Sequence, residues 1–410
     1  MLLVAFATWN HSRLIKDSVC LAEQLALLAR EDGLKETEHT AQEMGWRRWA
    51  MNEGRRRTKI TAYCYLNLHS LVYNSPPKMT NNEIELNLPC PESWWKAMTE
   101  EEWTSCRANE PCKPISFRDG YSSLLSETIQ SSESTTAPSS FGNYAMIHCL
   151  LQHIFFLRQA TVPATASEYG GLYSEVVQQM ETALRRWQRN WESTKDSTIN
   201  PSSPNGPLSF NCIALFRIAY IRLHADIGSH RRFDSGNPSV VAQSFQNIPH
   251  LPRSIHVCRA LLQSAHSLSI PVRVGVEYVA LTQTLNWSVV HSLCNLECAV
   301  FLSKWLNCMG TKTAEGQVSN ANEMKLLGLV GSILQEAGLS DLVEQERIES
   351  RRYKLMAIAV ARLCAQMFKG PHVFKLMELI GASLERYADT LDQKMATISN
   401  NSESVLDSVG

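Results

Sequence analysis

The sequence predicts an all-α protein: a large multi-helix array with long loops and no significant sheet. Three observations carry this. Apolar residues recur at three-to-four spacing through most of the chain, as on one face of a helix. No succession of segments alternates with the period of two that a sheet requires. The breaks between periodic stretches are long and rich in Ser, Thr, Asn and Pro, which punctuate helices.

The first stretch, Met1 to Trp9, is apolar but brief and lacks the basic start of a secretory signal, so it reads as a first core helix or the truncated remainder of one. Asp17 to Asp32 carries Val19, Leu21, Ala22, Leu25, Leu28 and Ala29 as an apolar stripe, and Gly33 stops it. A second helix is expected from about Thr40 to Tyr73, ended by Pro76-Pro77. Asn82 to Pro91 alternates and reads as extended. Thr99 followed by Glu102 fits a capping box, in which hydroxyl and carboxylate satisfy orphan amides reciprocally.

Ser126 to Ser140 is polar and reads as a loop. Phe141, Tyr144, His148, Leu151 and Phe155 mark the next helix, with His148 in the core and His153 on the surface. Glu168 to Glu192 follows, with Leu172, Val176, Met180, Leu184, Trp187 and Trp191 on its face. Loops are expected over Ser193–Pro207 and Ser229–Pro252, with a helix over Leu208–Ile227 between them. Arg253–Leu268 and Val276–Met309 read as strong helices, the latter apolar nearly all round and therefore central. Its few polar groups, Gln283, Asn286, His291 and Asn295, mark where a ligand cavity would lie. Asn322–Ala337, Ser340–Phe368 and Pro371–Asp392 complete the array. Residues 1–395 thus form the helical region, either whole or as two lobes split near 126–140, and 396–410 form a disordered polar tail.

With 44% hydrophobic and 19% charged residues, the chain is too apolar to be mainly disordered. A formal charge of −1 excludes a globally basic nucleic-acid binder and a polybasic membrane surface. No apolar run reaches the roughly 18 residues of a membrane span. The twelve cysteines are scattered and lie mostly in apolar helical stretches, which fits reduced thiols in a cytosolic or nuclear protein.

Familiar catalytic and ligand motifs are missing. No GxxxxGK[ST], GxGxxG after a strand, HExxH, CxxC, DDxxD or GxSxG occurs. His291, Cys294 and Cys298 share a helix face and could hold a soft metal, but without a fourth ligand they read as core. No residue is nominated as catalytic, cofactor-binding or metal-ligating, and no enzyme is expected.

The informative segment is Gly45 to Trp103. Trp46, Trp49, Glu53, Arg56 and Arg57 fall along one helical side, with the acid N-terminal to its bases by three and four, the favourable order. Glu53 is expected to pair with Arg56 or Arg57 over two buried rings. Arg47, Arg48, Arg55, Arg56, Arg57 and Lys59 form the densest basic cluster. It reads either as a DNA or nuclear-import surface or, preferably, as a salt-bridged helix face.

The order Trp46-x2-Trp49, Glu53, Arg56-Arg57-Thr58, Pro76-Pro77, Leu88-Pro89-Cys90 and Trp95 resembles the fungal transcription factor regulatory domain, or middle homology region. That domain lies downstream of C2H2 or Zn2Cys6 zinc DNA-binding modules. Val360-Ala-Arg-Leu-Cys364, Phe368-Lys-Gly370, Ile380-Gly381, Leu384 and Tyr387-Ala388 are similar to its C2H2-linked branch. The sequence departs from the pattern at Ala50 and at Cys364, where a β-branched residue and a Trp are more usual.

The resemblance implies a nuclear regulator of RNA polymerase II transcription. It implies DNA contact only through a zinc module, with zinc held there and not in these residues. The chain begins inside what resembles the regulatory domain's first helix, so the module is expected to be either truncated or lost. Coregulator proteins or a small-molecule inducer are the partners implied, with no membrane and the oligomeric state open. The alternative is an all-α ligand-binding protein or scaffold without a transcription role.

Overall fold

The computed structural model describes residues 1–36, 45–126, 137–160, 172–203 and 206–407; side chains are described except at 284–286 and beyond 397. Among them are seventeen α-helices, four short 3-10 turns and no strand. The Asn82–Pro91 segment makes only isolated bridges, Lys35 with Glu85 and Asn87 with Ser116. No described helix is long and apolar enough to cross a membrane.

The chain divides into two compact units. Unit 1 is built from residues 1–8, 14–163 and 172–219, and unit 2 from 9–13, 164–171 and 220–410. Residues on both sides of the 126–140 segment therefore belong to unit 1, and the division falls near residue 220 instead. Most of the 126–140 loop lies outside the described residues.

The helices run α1 (Leu2–Trp9), α2 (Ile15–Glu31), α3 (Trp46–Tyr73), α4 (Glu92–Trp95), α5 (Glu100–Asn109) and α6 (Phe117–Leu125). Then come α7 (Ser140–Ala160), α8 (Ser174–Glu192) and α9 (Leu208–His224), within which the units divide. In unit 1, α7 is the central rod, because nearly every residue from Ser140 to Ile154 is buried. α3 and α8 pack on it. A buried amide fixes the α3–α7 join. Gln152 donates to the Asn67 side chain and the Met79 carbonyl, both at 2.9 Å, and accepts from the Asn81 N–H at 2.7 Å. All its principal groups are matched, as burial requires. On α8 the Trp187 indole donates to the Asn143 carbonyl at 2.8 Å and stacks on Phe216 with centroids 5.3 Å apart. Val177, not Val176, faces the core, a one-residue shift in the expected stripe.

Unit 2 contains α10 (Pro238–Gln246), α11 (Ile255–Val274), α12 (Val276–Asn286), α13 (Val289–Ala314), α14 (Ala321–Glu336), α15 (Asp341–Gln345), α16 (Glu349–Gln366) and α17 (Lys375–Asp407). The expected single helix Val276–Met309 is two helices. Trp287 is extended (φ −117°, ψ 124°) and Ser288 caps the second helix in extended geometry, so the Asn286-Trp-Ser triplet breaks the rod. The second of the two, α13, is buried almost all round, with α11, α16 and α17 against it. α10 lies inside the expected loop Ser229–Pro252. Its signal was present in the sequence: Asn237 caps the Ser239 N–H and Pro238 occupies the first turn. Gly381 on α17 permits a close approach, since a Cβ there would sit 2.5 Å from the Phe368 Cβ.

Candidate functional site

α3 gathers the residues that the sequence singled out. It starts at Gly45 and buries Trp49, Glu53, Arg57 and Ile60 on one side. Trp46, expected to be mostly buried, is only half-buried. Glu53 is fully enclosed, 0% exposed. One carboxylate oxygen accepts from Arg57 Nε at 2.9 Å and from the Cys90 N–H at 3.0 Å. The other pairs with Arg56 and takes the Cys90 thiol at 3.2 Å.

Each arginine also holds a second acid. Arg56 forks onto Glu36 at 2.6 and 2.8 Å. Arg57 reaches Glu92 at 2.7 Å and the Cys90 carbonyl at 2.9 Å. Burial pulls the Arg56 guanidinium towards neutrality, but the Glu36 and Glu53 carboxylates outweigh it and hold its pKa above the ordinary arginine value. Burial, with Glu53 beside it, pushes the Cys90 thiol well up, so Cys90 acts here as a donor and not as a thiolate nucleophile.

Aromatic rings wall the centre. Trp49 lies 5.1 Å from Trp103 and 6.3 Å from Trp94, centroid to centroid. Arg57 sits 4.9 Å over the Trp95 ring and Arg107 4.4 Å over Trp103, in cation–π geometry. Beside these rings opens a cavity of about 500 Å³, reached by Trp49, Glu53, Arg56, Cys90 and Trp94. That volume lies within the usual range of small-molecule sites. Thr99 caps α5 by accepting from the Glu102 N–H at 3.2 Å, but the Glu102 carboxylate takes the Met98 N–H instead of closing the expected box.

The basic cluster splits by facing. Arg47, Arg48 and Arg55 are exposed. Arg56 and Arg57 are held by carboxylates, and Lys59 pairs with Asp32 at 2.8 Å.

A second buried centre escaped the sequence reading. In unit 2, Glu297 of α13 is 0% exposed and takes Arg222 at 2.7 Å and Arg231 at 2.9 Å. Burial and the neighbouring Arg222 charge pull Arg231 down to about 9, against the opposing pull of Glu297. The available signal was charge inside apolar helical runs, Arg217 and Arg222 in α9 and the lone acid Glu297 in α13. Spacing alone could not pair them.

The other singled-out residues pack separately. The Cys294 and Cys298 sulfurs lie 3.8 Å apart, with the Ser267 hydroxyl 3.4 Å from Cys294. His291 meets the Trp287 ring edge-on at 5.5 Å. Among the described residues, no three His, Cys, Asp or Glu side chains are arranged to hold a metal. Gln283 donates to the Ser292 hydroxyl at 3.2 Å, and the Asn286 side chain lies outside the described residues. The described cavities open elsewhere. His148 is buried, and half-buried His153 shares a 2.6 Å hydrogen bond with the Tyr121 hydroxyl.

Two family models match the chain. The fungal specific transcription factor domain matches residues 8–189, and the fungal transcription factor C-terminal domain matches residues 226–386. No curated protein and no solved structure gave a match. The Glu53 centre lies within the first match, and α13, α16 and most of the apolar face of α17 within the second. The matches leave only residues 1–7, 190–225 and 387–410 outside them, and the chain belongs to the fungal transcription factor domain family.

Proposed function

We propose that this chain is the regulatory part of a nuclear fungal transcription factor and acts without reading DNA itself. The observation that carries this is the commitment of Arg56, Arg57 and Lys59 to carboxylates. Phosphate contacts dominate DNA affinity, and a typical reader makes several of them. The remaining exposed cations of the cluster, Arg47, Arg48 and Arg55, are too few for that. DNA contact is assigned to a zinc module supplied with the chain. Non-enzymatic control fits the family, whose domains are regulators.

Control runs through the Glu53 network. It ties α3 to Cys90 and Glu92, and the 500 Å³ cavity opens onto the same side chains. A small-molecule inducer in that cavity, or a coregulator pressed on its mouth, would bear directly on those ion pairs.

Two measurements test the proposal. In an anisotropy titration at physiological salt, the purified chain should bind duplex DNA no better than about 10⁻⁴ M. Fused to a foreign DNA-binding module, it should change reporter transcription, and Glu53→Gln should alter that output. Submicromolar sequence-specific binding by the chain alone, or a fusion without effect on the reporter, would overturn it.

A further inference from the structure

We propose that unit 2 binds a phosphate-bearing small molecule in a cleft where Lys304, Lys354 and Lys394 converge. The cleft encloses about 350 Å³ and lies among α10, α13, α16 and α17. It is separate from the Glu53 cavity and does not depend on the role given to that cavity.

The charge of the cleft is one-sided. Three lysines line it and no carboxylate does. None of the three is in an ion pair among the described residues. Two of the ammonium groups instead share one neutral residue. Lys304 donates to the Gln246 carbonyl at 3.0 Å, and Lys394 donates to the Gln246 side-chain oxygen. Like charges so close repel, and burial adds to the cost. Burial first, then Lys394, pulls Lys304 down to about 8. A fold that keeps three cations together without an acid is complementary to an anion.

The lysines are also held in place. Gly310 on α13 has no Cβ; one there would lie 2.7 Å from the Ser350 carbonyl oxygen and 2.8 Å from the Lys354 Cγ. This close approach lays the Lys354 stem along α13. Polar donors line the same cleft. The Gln246 side-chain NH2, whose companion oxygen takes Lys394, has no hydrogen-bond partner among the described residues. The buried Tyr387 hydroxyl, beside Ser303, lines the cleft as well. Both can donate, as an anion requires.

Ammonium groups bind phosphate as compact point charges, and three of them suit its multiple charge. Ile248, Ile358 and Leu391 give the cleft an apolar wall for the organic body of the ligand.

The test uses the full 410-residue chain and inorganic pyrophosphate, titrated calorimetrically at constant ionic strength. Saturable one-site binding is expected, weakened about tenfold by Lys304→Gln with Lys394→Gln, or about 1.4 kcal/mol. Lys325→Gln, an exposed change on α14, should leave it unaltered. In the unmodified protein, pyrophosphate should protect Lys304 but not Lys325 from an amine-acylating reagent. This readout stands even where the double variant fails to fold. No saturable binding, equal loss in Lys325→Gln, absence of protection, or citrate binding as tightly as pyrophosphate would each overturn the proposal.

Discussion

Each unit buries a glutamate between two arginines, and the two centres differ in how the chain builds them. Glu53 meets its partners three and four residues along one helix, Arg56 and Arg57. Glu297 meets Arg222 and Arg231 across 75 and 66 residues of sequence. The first is a feature of one helix surface, and its arginines are 15% and 11% exposed at the side chain. The second is the more closed, with Arg222 at 10%, Arg231 at 1% and Glu297 at 0%. A local pair can form as soon as α3 does, whereas the distant triad exists only once unit 2 has packed. The open centre faces a cavity and can be perturbed from solution. The closed one acts as a lock on the fold.

The comparison breaks if removing either acid has the same effect. Glu297→Ala should be the more damaging, at about 3–5 kcal/mol, because it strips a fully enclosed carboxylate from two buried guanidiniums. Glu53→Ala should cost less, about 2–3 kcal/mol, since Arg56 keeps Glu36 and Arg57 keeps Glu92. Denaturant melts of both variants rank the two directly, and equal midpoints would erase the distinction.

Acid should loosen unit 1 through its buried imidazoles. Burial holds His148 down at about 3, and burial followed by Lys78 holds His69 at about 4. Their folded values lie below the unfolded one, so the unfolded chain binds more protons as pH falls beneath about 6.5. Stability is therefore fully present above that pH and declines towards the folded values. From pH 7 to pH 5 each histidine should remove about 2 kcal/mol. His148→Phe should flatten this slope in a pH series of melts, and an unchanged slope would remove the histidine from the account.

The smallest effects belong to the caps. Asn320 closes a complete box with Glu323 at the start of α14, each reaching back to the other's backbone. Thr99 makes only half of one. Asn320→Ala should cost about 1 kcal/mol and Thr99→Ala somewhat less, within the ordinary range for N-caps.

What was legible follows the same local-versus-distant line. Helix periodicity exposed the array, because a 3.6-residue repeat is written within one segment. The Glu53 pairing was legible for the same reason. Glu36, Glu92 and the Cys90 backbone were not assignable to that centre, since only folding brings them to α3. The Glu297 triad and the lysine cleft were invisible in spacing, each being assembled from separated helices. The break at Trp287 was missed because apolarity on both sides masked a turn-prone triplet. α10 was missed because a single helix-starting Asn-Pro pair sat inside a polar stretch. Of the polar groups expected to mark a cavity, Gln283, Asn286, His291 and Asn295, Gln283 meets Ser292 and Asn295 meets the Met367 sulfur at 3.9 Å, while the Asn286 side chain lies outside the described residues.

The encirclement of α13 bears on how the protein can be cut. Nearly every residue from Val290 to Gly310 is covered by other helices, so this rod has no face fit for water. A clone, a protease or a stalled ribosome that ends the chain between α14 and α16 leaves it without α16 and α17. Such a product carries a long apolar helix with half its covering gone, and aggregation is its favoured fate. Useful fragments of unit 2 must therefore run past Tyr387 and Ala388, the last fully buried positions of α17 among those described.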